Sequence, residues 1–344
     1  GAPAPDMELL RRAAPSAVEG CSDAPSAAAA LSRLDPSESA RVTRALLAEA
    51  GESHRPEALR WALWGACGGD PEAALQVVAG CSGGACGAVW GLDEIAFRCM
   101  TCELDATCAV CVQCFNEADH EGHEYVMIRT DGGCCDCGDP TAWRVSGTCP
   151  RHRARPPARG SGGLGAAVSG RLRCLLEVVR EEWRPGLEAA ASRQQAGAAS
   201  SAAVADFLAS LCGTGEPLVR LAAEAMVERD FLVALLGALS ALPASAYRPV
   251  IGLVYKLLGV TAFKEALGRE VVRRYEALLM QPRQPGVLDS LSVQLFTIPQ
   301  VTPQLVLGDA GFLHRAFGVL GTVLAAASPG PAGAGGGGAR RCGG

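Results

Sequence analysis

An α-helical scaffold interrupted by one small zinc-stabilised segment is the fold class this sequence predicts, and three observations predict it. Apolar residues recur at helical spacing through most of the 344 residues. Pro and Gly divide those stretches into short units. Between Cys86 and His152 the chain concentrates ten of its sixteen cysteines and three of its five histidines.

Residues 1–80 read as a helical N-terminal region. Leu9, Leu10, Ala13 and Ala14 fall at helical spacing, and Pro36 opens a second helix through Val42, Leu46 and Leu47. Trp61 and Trp64, three apart, share a helix face and read as packing residues. Residues 84–154 form the zinc segment. Residues 155–166, which overlap most of the run RHRARPPARGSGGLG (151–165), read as a flexible basic linker, because Pro, Gly and Ser leave little to pack.

From residue 167 to 328 the helical pattern is strong. Val168, Leu172, Leu175, Leu176, Val179 and Trp183 make one apolar stripe. Further helices are expected near Val204–Leu211, Leu218–Leu242, Tyr247–Val260, Phe263–Met280, Leu288–Phe296 and Phe312–Ala326. No sequence period chooses between a bundle and a solenoid-like array. Residues 329–344 read as a disordered Gly-rich tail.

Composition narrows the function. At 49% hydrophobic residues the chain can build a core without covalent staples. A net charge of −5 supplies no global basic field, which disfavours nucleic acid and suits a cationic ligand. No apolar run reaches the roughly 18–20 residues of a membrane helix, and the start GAPAPDMELLRRAAPS lacks the layout of a secretory signal. An intracellular setting, cytoplasmic and/or nuclear, is therefore expected, where clustered Cys and His ligate metal rather than form disulfides. A first residue that is Gly, and the Gly-rich end, suggest a piece of a larger product.

The candidate ligands fall into pairs at short spacing: Cys99/Cys102, Cys108/Cys111/Cys114, His120/His123, Cys135/Cys137 and Cys149/His152, with Cys86 in front. Two ligands separated by two residues can turn back on one ion, and tetrahedral zinc accepts this S/N mixture. The nucleic-acid-binding C2H2 finger is excluded. It wants about twelve residues between pairs and three to five between histidines, whereas here there are seventeen and two, in a loop carrying Glu117, Asp119 and Glu121.

The wording CGAVWG, FRCMTCELDATCAVC and GGCCDCGD-x3-W, continuous from Cys86 to His152, resembles the UBR box. That box is the zinc-binding substrate-recognition domain of N-recognin E3 ubiquitin ligases, and the resemblance is greatest to the plant-type arginine N-degron ligases. The family's box is irregular, with little secondary structure and three structural zinc ions. The resemblance implies that Cys99, Cys102, His120 and His123 hold one ion. Cys86, Cys111, Cys114 and Cys135 would hold a second, and Cys114, Cys137, Cys149 and His152 a third, with Cys114 shared. Eleven residues complete three four-coordinate sites only if one is shared, which agrees with that assignment. Cys108 and Cys134 are left over as thiols that pack beside the cluster. Six thiolates around two Zn²⁺ leave the two-ion centre near −2 with His152 neutral.

Asp105, Asp136 and Asp139 sit in or beside the ligand turns, where turn chemistry is the bland explanation. The resemblance implies more. The matching acids receive a basic first residue, with Asp136 also taking the α-ammonium and the Cys134 carbonyl contributing. Trp90 and Thr107 would be rim contacts. Two departures stand out: Cys134 replaces a common aromatic, and Ala106 replaces a common Pro.

The implied function is recognition of proteins with free basic N-terminal residues (Arg, Lys or His) for ubiquitin-dependent degradation. The implied partner, an E2 ubiquitin-conjugating enzyme, would be met through a region missing from this chain, since no second Cys/His cluster forms a RING and no catalytic residue is evident. Two rivals remain at this stage: a structural zinc-binding interaction module without N-degron specificity, and a zinc hydrolase, which needs an open metal position.

Overall fold

The computed structural model describes residues 4–79, 84–153, 164–192, 197–280, 287–296, 302–308 and 311–327. Most of the expected linker and the whole of the expected tail lie outside them.

Five helices precede the zinc segment: α1 (Met7–Ala13), α2 (Ala24–Leu31), α3 (Pro36–Ala50), α4 (Arg55–Cys67) and α5 (Pro71–Ala79). Their starts follow capping chemistry. Asp35 accepts from the Ser37 and Glu38 amides just ahead of Pro36, and Asp23 forms a capping box with Ser26. Trp61 is fully buried, its Nε1 donating to the Asp6 carbonyl at 2.6 Å, and Trp64 meets it edge to face at 6.5 Å.

The zinc segment carries more regular structure than expected. Strand β1 (Val89–Cys99) pairs antiparallel with β2 (Val110–Cys111) and β3 (Tyr125–Cys134), in the order β2–β1–β3, and a short helix α6 (Val112–Glu117) follows β2. The register places Val89 opposite Cys134 and Cys99 opposite Tyr125, with an irregularity between Leu92 and Ile95, where Asp93 adopts a positive φ of 65°. This break curls the sheet. A straight strand would put Ala88 roughly 26 Å from Ala96 at about 3.3 Å per residue. Yet Ala88 accepts from the Cys135 amide at 2.9 Å, Ala96 pairs with Cys111, and the Cys111 amide donates to Cys135 Sγ at 3.2 Å. Bending brings the ligand-bearing strand ends together.

After the box come α7 (Ala166–Ala191), α8 (Ala198–Gly213), α9 (Glu216–Met226), α10 (Arg229–Leu239), α11 (Ala244–Leu258), α12 (Thr261–Met280), α13 (Val287–Phe296), α14 (Thr302–Gly308) and α15 (Phe312–Ala327). The α7 stripe is buried from Leu172 to Trp183. The single helix expected over Leu218–Leu242 is two: Glu228 accepts from the Asp230 and Phe231 amides and restarts the helix. A strong capping carboxylate thus ends an apolar run that reads as continuous.

Helices on both sides of the box share one apolar core, from Leu10 and Leu59 through Leu172, Leu208 and Phe231 to Leu295. α7 joins the halves, packing on α3, α4, α9 and α10. The box has its own core of cysteines with Val110, Ala142 and Trp143, to which Leu305 of α14 adds. Among the described residues no helix is long and apolar enough to cross a membrane.

Candidate functional site

Three groups of four ligand side chains converge, each with its ligand atoms within 4.8 Å of one another: Cys99, Cys102, His120 and His123; Cys86, Cys111, Cys114 and Cys135; and Cys114, Cys137, Cys149 and His152. Backbone turns deliver them. Cys99 ends β1, Cys111 ends β2, and Cys135 follows β3 directly. The Cys102 and Glu103 amides both donate to the Cys99 carbonyl, folding the first pair into one turn.

The geometry fits tetrahedral zinc. With metal–sulfur and metal–nitrogen lengths of about 2.3 and 2.0 Å, ligand-to-ligand edges are roughly 3.3–3.8 Å. In the first group Cys99 Sγ and Cys102 Sγ stand 3.5 and 3.2 Å from His123 Nδ1, and Cys102 Sγ 3.8 Å from His120 Nδ1. The two Nδ1 atoms are 3.4 Å apart. His152 Nδ1 lies 3.4 Å from Cys114 Sγ and 3.2 Å from Cys149 Sγ. All three imidazoles therefore offer Nδ1.

Electrostatics supports the same conclusion. Contact with Cys111, then Cys135, Cys137 and Cys86, drives the Cys114 thiol far above its usual range. Sulfurs this close cannot all carry charge unless a cation sits among them. Burial pulls His120 down, keeping it neutral as ligation requires. Its Nε2 is buried without a hydrogen-bond partner, and Phe115 stacking at 4.4 Å orients the ring in place of the usual acceptor. Four protein ligands close each group, so no position is open for a reacting water. That removes the hydrolase rival.

The leftover thiols have different places. Cys108 is buried in the box core and donates to Asp105 Oδ2 at 3.3 Å. The Cys134 side chain, expected beside the metal cluster, packs instead with the helical core.

Asp136 and Asp139 are buried, at 4% and 3% exposure, which simple turn residues in a surface loop would not be. Asp136 Oδ2 accepts from the Ala109 amide at 2.8 Å and Oδ1 from Gln294 Nε2 at 3.3 Å. Burial pushes its carboxyl up to about 7; the Ala109 amide opposes the shift and Asp139 adds to it. Asp139 Oδ1 accepts from the Thr141 amide and hydroxyl at 2.8 and 2.6 Å. Its Oδ2 faces Lys264 Nζ at 2.7 Å, and that ammonium also donates to Thr141 Oγ1 at 2.6 Å. Asp105 is half-buried and accepts from the Thr107 amide and hydroxyl, so the exposed Thr107 is bonded to it. Trp90 is half-buried on β1, with its ring near Gly133.

Sequence reasoning missed Thr141, Lys264 and Gln294. Thr141 is local, two residues from Asp139. The other two arrive from α12 and α13, more than a hundred residues along the chain. One signal was present: Lys256 and Lys264 are the chain's only two lysines, and Lys256 Nζ donates to the Cys86 carbonyl at 3.3 Å.

Known proteins are similar to this chain in sequence. The profile of the N-recognin zinc finger, the UBR box, matches residues 85–152. The E3 ubiquitin-protein ligase PRT6 of Arabidopsis thaliana is 31% identical over 269 residues, covering 71% of this chain and 13% of that protein. The zebrafish ubr3 ligase is 40% identical over 36% of the chain and 7% of its own length. Human UBR1 is 38% identical over 27% of the chain and 5% of its own length. The chain thus spans a small part of each relative. Its zinc-binding segment is a UBR box, and the chain belongs to the UBR-box N-recognin E3 family.

Proposed function

We propose that this chain is the substrate-recognition part of an E3 ubiquitin-protein ligase, binding proteins whose free N-terminus is Arg, Lys or His. In this reading the box holds three structural zinc ions, with Cys114 bridging two of them, and works in the cytoplasm and/or nucleus. Asp136 and Asp139 receive the α-ammonium and the basic side chain, Asp105 completes the acidic wall, and Cys134, Thr107 and Trp90 line it. E2 recruitment and ubiquitin transfer belong to other parts of the ligase.

One observation carries the reading: the site already accepts an alkylammonium, Lys264 Nζ at 2.7 Å from Asp139. A carboxylate on a rigid ligand turn, helped by a hydroxyl, is the receptor a lysine or arginine head requires. The relatives named E3 ubiquitin-protein ligases support the ligase context. The rival, an interaction module without N-degron specificity, draws on the same contact, because both carboxylates already have partners within the chain.

Calorimetric titration of the zinc-loaded chain with peptides beginning Arg, acetyl-Arg and Gly separates the two. Binding of the free Arg peptide alone is expected. Equal affinity for all three overturns the reading, as does absence of binding by all three once Lys264 is replaced by Ala.

A further inference from the structure

Asp136 and Asp139, the buried pair of the acidic site, are not open to solvent. Their carboxylates are engaged by groups of the chain that copy what a basic N-terminal residue would bring. An ammonium on a four-carbon stem reaches Asp139 Oδ2, and an N–H donor reaches Asp136 Oδ1. Lys264 has no exposed surface. The contact is not a chance brush of a long surface side chain, because the helices beside it are fitted to the box. An added Cβ at Gly87 would press to 3.0 Å from the Lys256 amide nitrogen, and one at Gly259 to 2.9 Å from Ala85 Cβ. Close backbone approach at the α11–α12 junction therefore seats the start of α12 on the ligand turns. Lys256 adds a second tether at the Cys86 carbonyl. The chain places every lysine it has on the zinc box and uses Arg for its remaining fixed positive charge.

We propose that Lys264 is a ligand in cis for the basic-residue site, held in the position of an N-degron side chain, so that a basic N-terminus binds only by displacing the start of α12. The inference rests on reading Asp136 and Asp139 as the receptor for a basic residue. Lysine suits the role better than arginine would. It makes a single-point contact through a compact ammonium, whereas a bidentate guanidinium would be harder to exchange. The displaced segment has room to move, since Gly259, Val260, Thr261 and Ala262 border a cleft of about 540 Å³ between box and scaffold. Competition of this kind lowers apparent affinity by the fraction of molecules whose site is free. Lys264 then sets which ligands succeed: those with a basic side chain and a free α-ammonium, which together outbid one tethered ammonium.

The test compares the full zinc-loaded chain with Lys264→Ala and Lys264→Arg, titrated with a peptide beginning Arg and its acetylated form. Lys264→Ala is expected to bind the free Arg peptide at least about tenfold more tightly than the parent, with no gain for the acetylated peptide, while Lys264→Arg, whose guanidinium is harder to exchange, binds it more weakly than the parent. Equal affinities of the parent and Lys264→Ala leave the N-degron reading standing and overturn the cis ligand. No binding by either overturns both. Amine acylation read by mass spectrometry is the second measurement, and its first arm uses the parent chain alone. In the parent, Lys264 is expected to react at least about tenfold more slowly than in the unfolded chain, and Asp139→Asn to unmask it. A Lys264 as reactive as in the unfolded chain overturns the proposal.

Discussion

The box and the scaffold bury their interiors by different means. In the helices, Leu10, Leu59, Leu172, Leu208 and Phe231 are almost wholly buried, and removal of apolar surface from water stabilises the fold directly. In the box, the comparably buried side chains are Cys99, Cys102, Cys114, Cys135, Cys137 and Cys149, with Trp143 the main large apolar group. Buried thiolates stabilise nothing by themselves, since each opposes the ionisation of its neighbours until a cation joins them. Two regions of equal burial therefore differ in kind: one is stable on its own, the other is conditional on metal.

That contrast can be broken from the metal side first. Cys114→Ser removes the ligand shared by two groups. It is expected to release both of the ions they hold and to unfold the box, an effect on the order of 10 kcal/mol. Metal analysis and amide exchange check it: exchange should become fast between residues 86 and 152 while α7 to α11 keep their protection. Full metal content in that variant disproves the bridge. From the scaffold side, Leu208→Ala opens a cavity in α8 and should cost about 2–5 kcal/mol in thermal or denaturant unfolding, with zinc content unchanged. Loss of zinc there would show that the two cores are one cooperative unit. The smallest effect sharpens the boundary between fold and recognition. Asp136→Asn keeps shape but removes charge, and should weaken Arg-peptide binding by about 1.5–3 kcal/mol at constant zinc content and melting temperature. Zinc loss would assign Asp136 to support of the metal turns.

The seam between the regions qualifies the contrast. Lys264 and Gln294 belong to helices of the scaffold yet complete the carboxylates of the box. Breaking a buried pair on one side leaves an uncompensated charge, so Lys264 variants loosen docking as well as freeing the site. The Cys134 side chain works in the same seam. Its small thiol packs the end of β3 into the helical core.

Much of the metal centre is legible in the residue string because ligation is local. Cys99/Cys102, His120/His123 and Cys149/His152, each separated by two residues, turn back into one group apiece, whereas Cys135 and Cys137 divide between two, in the grouping the resemblance implied. The helices are legible for a similar reason, as apolar periodicity and caps such as Asp35 act within one or two turns. Glu228 shows the limit: its carboxylate restarts a helix inside a run whose apolar residues alone read as unbroken. The curl of β1 was hidden as well, because it is set by the irregularity between Leu92 and Ile95 rather than by alternation along the strand.

The sequence by itself determined the clustered Cys and His pairs, the acids beside them and most of the helical pattern, since these follow from spacing and short-range chemistry, while the grouping of the ligands was what the resemblance implied. Only the tertiary structure decided the state of the acidic site. A lysine 125 positions from Asp139 meets it at 2.7 Å. Nothing local marks that pair, because the contact exists only where the α11–α12 junction is seated against the box.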